Sequence, residues 1–211
     1  CIRDSPSIDI FSKPTVDEVI DRAFELYEYC WSYAKQQGKE IIFEIGTEEQ
    51  SGSTNTQKEL DYTLNTMFSL FDKHHLPKPT FVVIQTGTRV METRNVGSFE
   101  SPVRIADEIP AEIQVPKMVE ICNQYGIFLK QHNTDYLSDE SLKWHPRLGI
   151  HSANVAPEFG VAETRAMLEL LEKNSLQPLA DKFLELAYKS KKWKKWMVPE
   201  TTATNRERSI I

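Results

Sequence analysis

Apolar positions along the chain alternate between two rhythms. Val16, Val19, Ile20, Ala23, Phe24, Tyr27, Cys30, Trp31 and Ala34 recur at the spacing of a helix with one buried face. Thr15-Val16-Asp17-Glu18 opens that helix as a capping box: the threonine hydroxyl accepts from the third helical N–H, and the glutamate reaches back. Gly38 closes it. Ile41 to Gly46 is a short β-rich run, followed by a polar loop from Thr47 to Thr56. A second helix is predicted over 57–73, with Leu60, Leu64, Met67, Phe68 and Phe71 on one face. Pro77 and Pro79 separate it from a second strand, Phe81-Val82-Val83-Ile84. The connection over 86–111 is long, which marks a functional or a poorly ordered loop. A third helix over 114–124, a third strand over 127–130 and a short helix opened by Ser138 follow. Leu148-Gly149-Ile150-His151 reads as a fourth strand, and helices over 157–172 and 176–190 complete the pattern. Residues 1–14 read as loop and residues 191–211 as an irregular tail.

Strands that alternate with helices imply a parallel sheet under helical cover. A doubly wound open sheet and a run of consecutive barrel units both fit. A (β/α)8 barrel takes about 250 residues, so four units make roughly half of one. The chain opens at Cys1 without a methionine and stops at Ser209-Ile210-Ile211, so we expect a longer functional protein. The expected fold is therefore α/β, a (β/α)8 TIM barrel whose later half, about four βα units, lies in 1–190, with a tail over 191–211. Such a half exposes unpaired sheet edges, and association into oligomers is expected.

Composition narrows the function classes. With 211 residues and 40% hydrophobic content, the chain is long enough to bury a sizeable core. The formal net charge of −6 gives no electrostatic reason for a nucleic-acid partner. Cys1, Cys30 and Cys122 are odd in number and form no CxxC pair, which reads as reduced thiols in a cytoplasmic protein. No apolar run approaches the roughly 20 residues that span a bilayer, so no membrane role is expected.

Chemistry in such sheets collects at the carboxyl ends of the strands. Here those ends read Gly46-Thr47-Glu48, Gln85-Thr86-Gly87-Thr88-Arg89, His132-Asn133-Thr134-Asp135, and His151-Ser152-Ala153-Asn154. A glutamate, a histidine and an aspartate at neighbouring strand ends can bind a divalent metal, and imidazole with carboxylate suits zinc, manganese or nickel. Such an ion polarises a sugar carbonyl. The plainer reading is that His132 and Asp135 cap the next segment and Glu48 pairs with a lysine. The coincidence across four strand ends favours a site. Arg89, nearest a strand end, is the candidate phosphate clamp; Arg94 and Arg104 read as solvated loop charge. Lys189 to Lys195 with Trp193 and Trp196 reads as a helix end packed on the body, not as a membrane or nucleic-acid patch.

These residues also carry a family likeness. Phe43-Glu44-Ile45-Gly46-Thr47-Glu48 and His132-Asn133-Thr134-Asp135-Tyr136 resemble the "IGTE" and "H-x-T-D-Y" segments of the non-catalytic accessory subunits of class II D-tagatose-1,6-bisphosphate aldolase. Val155-Ala156-Pro157 through Ala166 resembles a later strand-to-helix segment of that family. The likeness covers nearly the whole chain and corresponds to the middle and later part of a family member. It implies a barrel, a sugar-phosphate ligand, a divalent ion (zinc, manganese, nickel or magnesium), and possible service to a catalytic aldolase subunit. By that carry-over Glu48, His132 and Asp135 are the pocket residues; in a metal-dependent enzyme Glu48 and His132 would hold the metal, and Glu48 or Asp135 would move a proton. Gln85, Arg89, His151 and Asn154 are expected to contact substrate. An epimerase or aldolase active in its own right, and a sugar-phosphate-binding protein without catalysis, are the alternatives. The loop after Glu48 and the arginine-bearing loop depart from the family pattern, and both lie where a substrate would be read.

Overall fold

The computed structural model describes residues 2–3, 15–46, 56–100 and 109–211. The chain opens with β1 (Ile2–Arg3), then α1 (Val16–Gln36), β2 (Glu44–Gly46), α2 (Gln57–Lys73) and β3 (Phe81–Ile84). A small antiparallel hairpin, β4 (Val90–Met91) and β5 (Arg94–Asn95), rises from the long connection. Next come α3 (Ala111–Tyr125), β6 (Phe128–Gln131), the short helices α4 (Asp139–Leu142) and α5 (Trp144–Leu148), and β7 (Ser152–Ala153). Helices α6 (Pro157–Lys173) and α7 (Gln177–Ser190), a 3-10 turn (Lys192–Trp196) and α8 (Asn205–Ile210) finish the chain.

Among the described residues, five strands form one parallel sheet in the order β1-β2-β3-β6-β7. Each new strand adds beside the last, with no reversal. A doubly wound sheet reverses at a switch point, and the reversal is what puts helices on both faces. Right-handed crossovers that always step the same way keep their helices on one side. The strand order is consistent with consecutive barrel units and lacks the reversal of a doubly wound sheet.

Burial shows the same one-sidedness. Phe43, Ile45, Val82, Ile84 and Leu129 alternate along their strands and pack on Ile20, Phe24, Tyr27, Leu64, Met67, Phe71, Val115 and Met118 from α1, α2 and α3. The Tyr27 ring lies 4.6 Å from Phe71 and 4.8 Å from Phe43, and its hydroxyl donates to the Pro77 carbonyl at 2.7 Å. Burial pushes that phenol up to about 12. Alternation puts Glu44, Phe81, Val83, Phe128 and Lys130 on the opposite face. There Lys130 Nζ meets Glu44 Oε2 at 2.6 Å, Phe81 lies 5.8 Å from Phe128, and Phe128 is half exposed.

The capping box at Thr15 forms as expected, with Thr15 N donating to Glu18 Oε2 at 2.7 Å and Glu18 N to Thr15 Oγ1 at 3.2 Å. The same device opens α2 at Thr56 and Glu59, and α8 at Thr204 and Glu207. Three expectations are corrected. Residues 2–3, expected in a loop, pair in parallel with Ile45 and Gly46 as an edge strand. The fourth strand is Ser152–Ala153 and not 148–151: Leu148 ends α5, Gly149 caps it in the left-handed region at φ 77°, and Ile150 turns into the core. The tail is not irregular. Trp193 Nε1 donates to Tyr188 O at 3.0 Å, Arg208 lies over the Trp193 ring, and Arg206 reaches Glu172 at 2.7 Å.

Cys122 is buried, and burial pushes its thiol up to about 12; Cys30 is partly buried. Among the described residues no helix is long and apolar enough to cross a membrane.

Candidate functional site

Sheet register builds the site. Ile84 stands beside Gln131, and Gln131 beside Ala153. One residue further along each strand, Gln85, His132 and Asn154 come side by side at three adjacent carboxyl ends. Backbone bonds fix the row: His132 N donates to Ile84 O at 2.9 Å, and Asn154 N to Gln131 O at 2.8 Å.

Gln85 is fully buried and satisfied at both ends of its amide. Its Nε2 donates to the Thr88 carbonyl. Its Oε1 faces His132 Nδ1 at 2.8 Å and accepts from Asn133 Nδ2 at 3.2 Å. Thr88 Oγ1 donates to the His132 carbonyl, so ring and backbone of this histidine are both tied to the end of β3. His132 is 6% exposed.

The loop after His132 is held from three sides. Thr134 donates to Asn154 O from its backbone N at 3.0 Å and its hydroxyl at 2.6 Å. Asn95, on the β4–β5 hairpin, donates through Nδ2 to the carbonyls of Asn133 at 2.9 Å and Asp135 at 3.0 Å. Its Oδ1 accepts from Arg89 N at 3.1 Å and Gly97 N at 3.2 Å. Asp135 Oδ1 accepts from Ala156 N and Glu158 N, both at 2.9 Å, and so caps the start of α6. Glu158 answers by accepting from Tyr136 N at 2.7 Å. This is capping-box logic carried out across two strand ends. Asn133 and Tyr136 both hold positive φ, 54° and 58°. Asparagine tolerates that region and tyrosine does not, so the loop stores backbone strain at Tyr136. Burial, the first cause, and the Asp135 and Glu158 charges push the Tyr136 phenol up to about 12.

The predicted site residues thus divide. Gln85, His132, Asp135 and Asn154 come together at the carboxyl rim. Arg89 stands on the hairpin loop above, with an exposed side chain. His151 lies elsewhere: its Nδ1 accepts from Leu129 N at 3.3 Å, and its ring sits 4.7 Å from Phe128. That level is roughly 10 Å back along the strand from His132, at about 3.3 Å per residue. Arg94 pairs with Glu92 at 3.5 Å. Glu48 and Arg104 lie outside the described residues. Among the described residues no group of three or more His, Cys, Asp and Glu side chains could hold a metal ion. Thr88, Asn95 and Glu158 were not singled out from the sequence; each works through bonds to residues distant in the chain that no spacing signals.

No protein-family model and no curated protein matches this sequence. Solved structures do. Three crystal structures of fructuronate-tagaturonate epimerase UxaE from Cohnella laeviribosi align with it. The form complexed with one glycerol gives a TM-score of 0.55 at 12% identity, over 90% of this chain and 37% of that one. The native form gives 0.54 at 13% identity, over 92% and 37%. The form with two glycerols gives 0.54 at 12%, over 92% and 38%. The chain therefore shares a fold with just over a third of a much longer protein.

Proposed function

We propose that this chain supplies consecutive βα units of a barrel enzyme of carbohydrate metabolism, and that the rim formed by Gln85, His132 and Asn154 belongs to its active site. The observation that carries the reading is His132: buried at a strand's carboxyl end, on the face away from the helices, with its ring held by Gln85. A core histidine has no need of that placement. The shared fold with a keto-sugar-acid epimerase supports the reading, as does the resemblance to aldolase accessory subunits. The substrate class is a sugar with a carbonyl and an anionic group, phosphate or carboxylate. Arg89, on an exposed loop above the rim, meets the anionic group.

A divalent ion (zinc, manganese, nickel or magnesium) fits one described residue well. With Nδ1 facing the Gln85 oxygen, Nε2 carries the lone pair whenever the His132 ring is neutral, the form that ligates metals. Asp135 fits poorly, since Oδ1 already accepts two backbone N–H groups. His132 and Glu48 would hold the ion. Bound there, it supplies Lewis acidity towards the substrate carbonyl. We assign proton movement to Glu48 and the positioning of the loop to Asp135. Asn154 orients substrate hydroxyls at the rim.

The test is solvent deuterium exchange into a panel of ketose phosphates and keto sugar acids. Exchange with wild type that disappears in His132→Ala supports an enzyme that moves a proton next to a carbonyl. Absence of exchange and of turnover across the panel contradicts it. The use of Asp135 as a helix cap favours a second reading, an accessory subunit with no turnover of its own. In that case adding a catalytic class II aldolase subunit raises that partner's activity, and the effect survives His132→Ala.

A further inference from the structure

We propose that Gln85 is a positioning residue that locks the neutral His132 imidazole into its Nδ1–H tautomer. A backbone carbonyl can only accept, so the group of Gln85 that faces Thr88 O must be the amide nitrogen. The amide oxygen is then on the other side, 2.8 Å from His132 Nδ1 and 3.2 Å from Asn133 Nδ2. An amide oxygen carries no hydrogen, so the ring nitrogen must donate. In the neutral ring Nε2 then carries the lone pair.

The lock cannot relax by turning the amide over, because that would set the Gln85 oxygen against the Thr88 carbonyl in a site closed to water. Nor can the histidine withdraw: its backbone N–H is bound to Ile84, and its carbonyl accepts from Thr88 Oγ1. A histidine side chain in water favours the opposite, Nε2–H tautomer, so the arrangement selects the less common form. This deepens the proposed function and rests on it for its purpose, but the tautomer itself does not depend on any ligand.

Long-range 1H–15N correlation on the full chain reads it directly, above the pH range in which imidazole protonates. Wild type is expected to show a pyrrole-like Nδ1 and a pyridine-like Nε2 for His132. The reverse pattern in wild type overturns the proposal, whatever any variant does. In Gln85→Leu the signature is expected to move to Nε2–H; an unchanged Nδ1–H signature would show that another group holds the ring. If Gln85→Leu does not fold, Gln85→Met takes its place with the same two outcomes. Calorimetric titration with manganese or zinc then separates this inference from the reading it serves. Groups that orient a metal-ligating histidine typically contribute 10–100-fold in affinity, so about that loss is expected in Gln85→Leu. A wild type with the expected tautomer but no metal affinity sinks the metal site and leaves the lock standing.

Discussion

Asp135 illustrates how one carboxylate can be read two ways. Its Oδ1 accepts from Ala156 N and Glu158 N at the start of α6. Removing such a cap costs about 1 kcal/mol, within a range of roughly 0.5–2. Asp135→Ala is therefore expected to lose about that much in denaturant unfolding, while Asp135→Asn, which keeps an accepting oxygen, loses less. The same pair tests chemistry. If Asp135 carried a proton in turnover, Asp135→Asn would abolish activity in a protein of near-normal stability; the structure predicts that activity largely survives. His145 offers a second test. It is buried against Phe99 at 5.2 Å, its Nε2 has no partner among the described residues, and burial holds it below its ordinary value of 6.5. With the folded value depressed, the unfolded chain binds the proton first. The His145 contribution to stability is whole above about 6.5 and is lost as pH falls through the folded value. Replacing His145 with Gln should flatten the fall of Tm with pH in that window; an unchanged slope would assign the effect to another group.

Among the elements, the β4–β5 hairpin matters most to the site. It folds back so closely that a Cβ on Gly97 would lie 2.2 Å from the Gly87 carbonyl oxygen. Gly97→Ala must push the two backbones apart and pull Asn95 away from the carbonyls of Asn133 and Asp135. Faster hydrogen exchange over residues 87–97 and 133–136, with the core protected as before, is the expected result; unchanged exchange would show that the hairpin does not hold the loop. This element was invisible in the sequence. Residues 86–111 read only as a long loop, because a two-residue strand pair has no periodicity to detect. Local signals did better. The Thr15 box, the 57–73 helix and the Phe81–Ile84 strand were legible because each depends on neighbours within a few residues. The fourth strand was misplaced because Leu148 and Ile150, two apolar residues flanking a glycine, belong to a helix end and the core behind it.

For the whole molecule, strand order was beyond the sequence, and it is consistent with consecutive barrel units. Alternating strands and helices fit two architectures; only the order β1-β2-β3-β6-β7, stepping one way, distinguishes them. The strand-end row was half legible. His132, Asp135 and Gln85 stood out by type and place, but the exchange that makes Asp135 a cap runs to Glu158, across a strand and a turn. The face opposite the helices presents Phe128, half exposed, beside Phe81 and the Glu44–Lys130 pair. In a barrel that face is interior. Sedimentation velocity of the 211-residue chain is expected to show self-association through this face. A cooperative, soluble monomer across the micromolar range would count against the barrel-unit reading.

His132 at the rim is the centre of the proposed site, and metal content tests its role most directly. Elemental analysis of wild type beside His132→Ala, after equilibration with manganese, zinc or nickel and removal of free ion, is the measurement to make. A bound divalent ion is expected in wild type and its loss in the variant, with the fold of both intact by circular dichroism. Equal metal content in the two proteins, or none in either, would contradict that role.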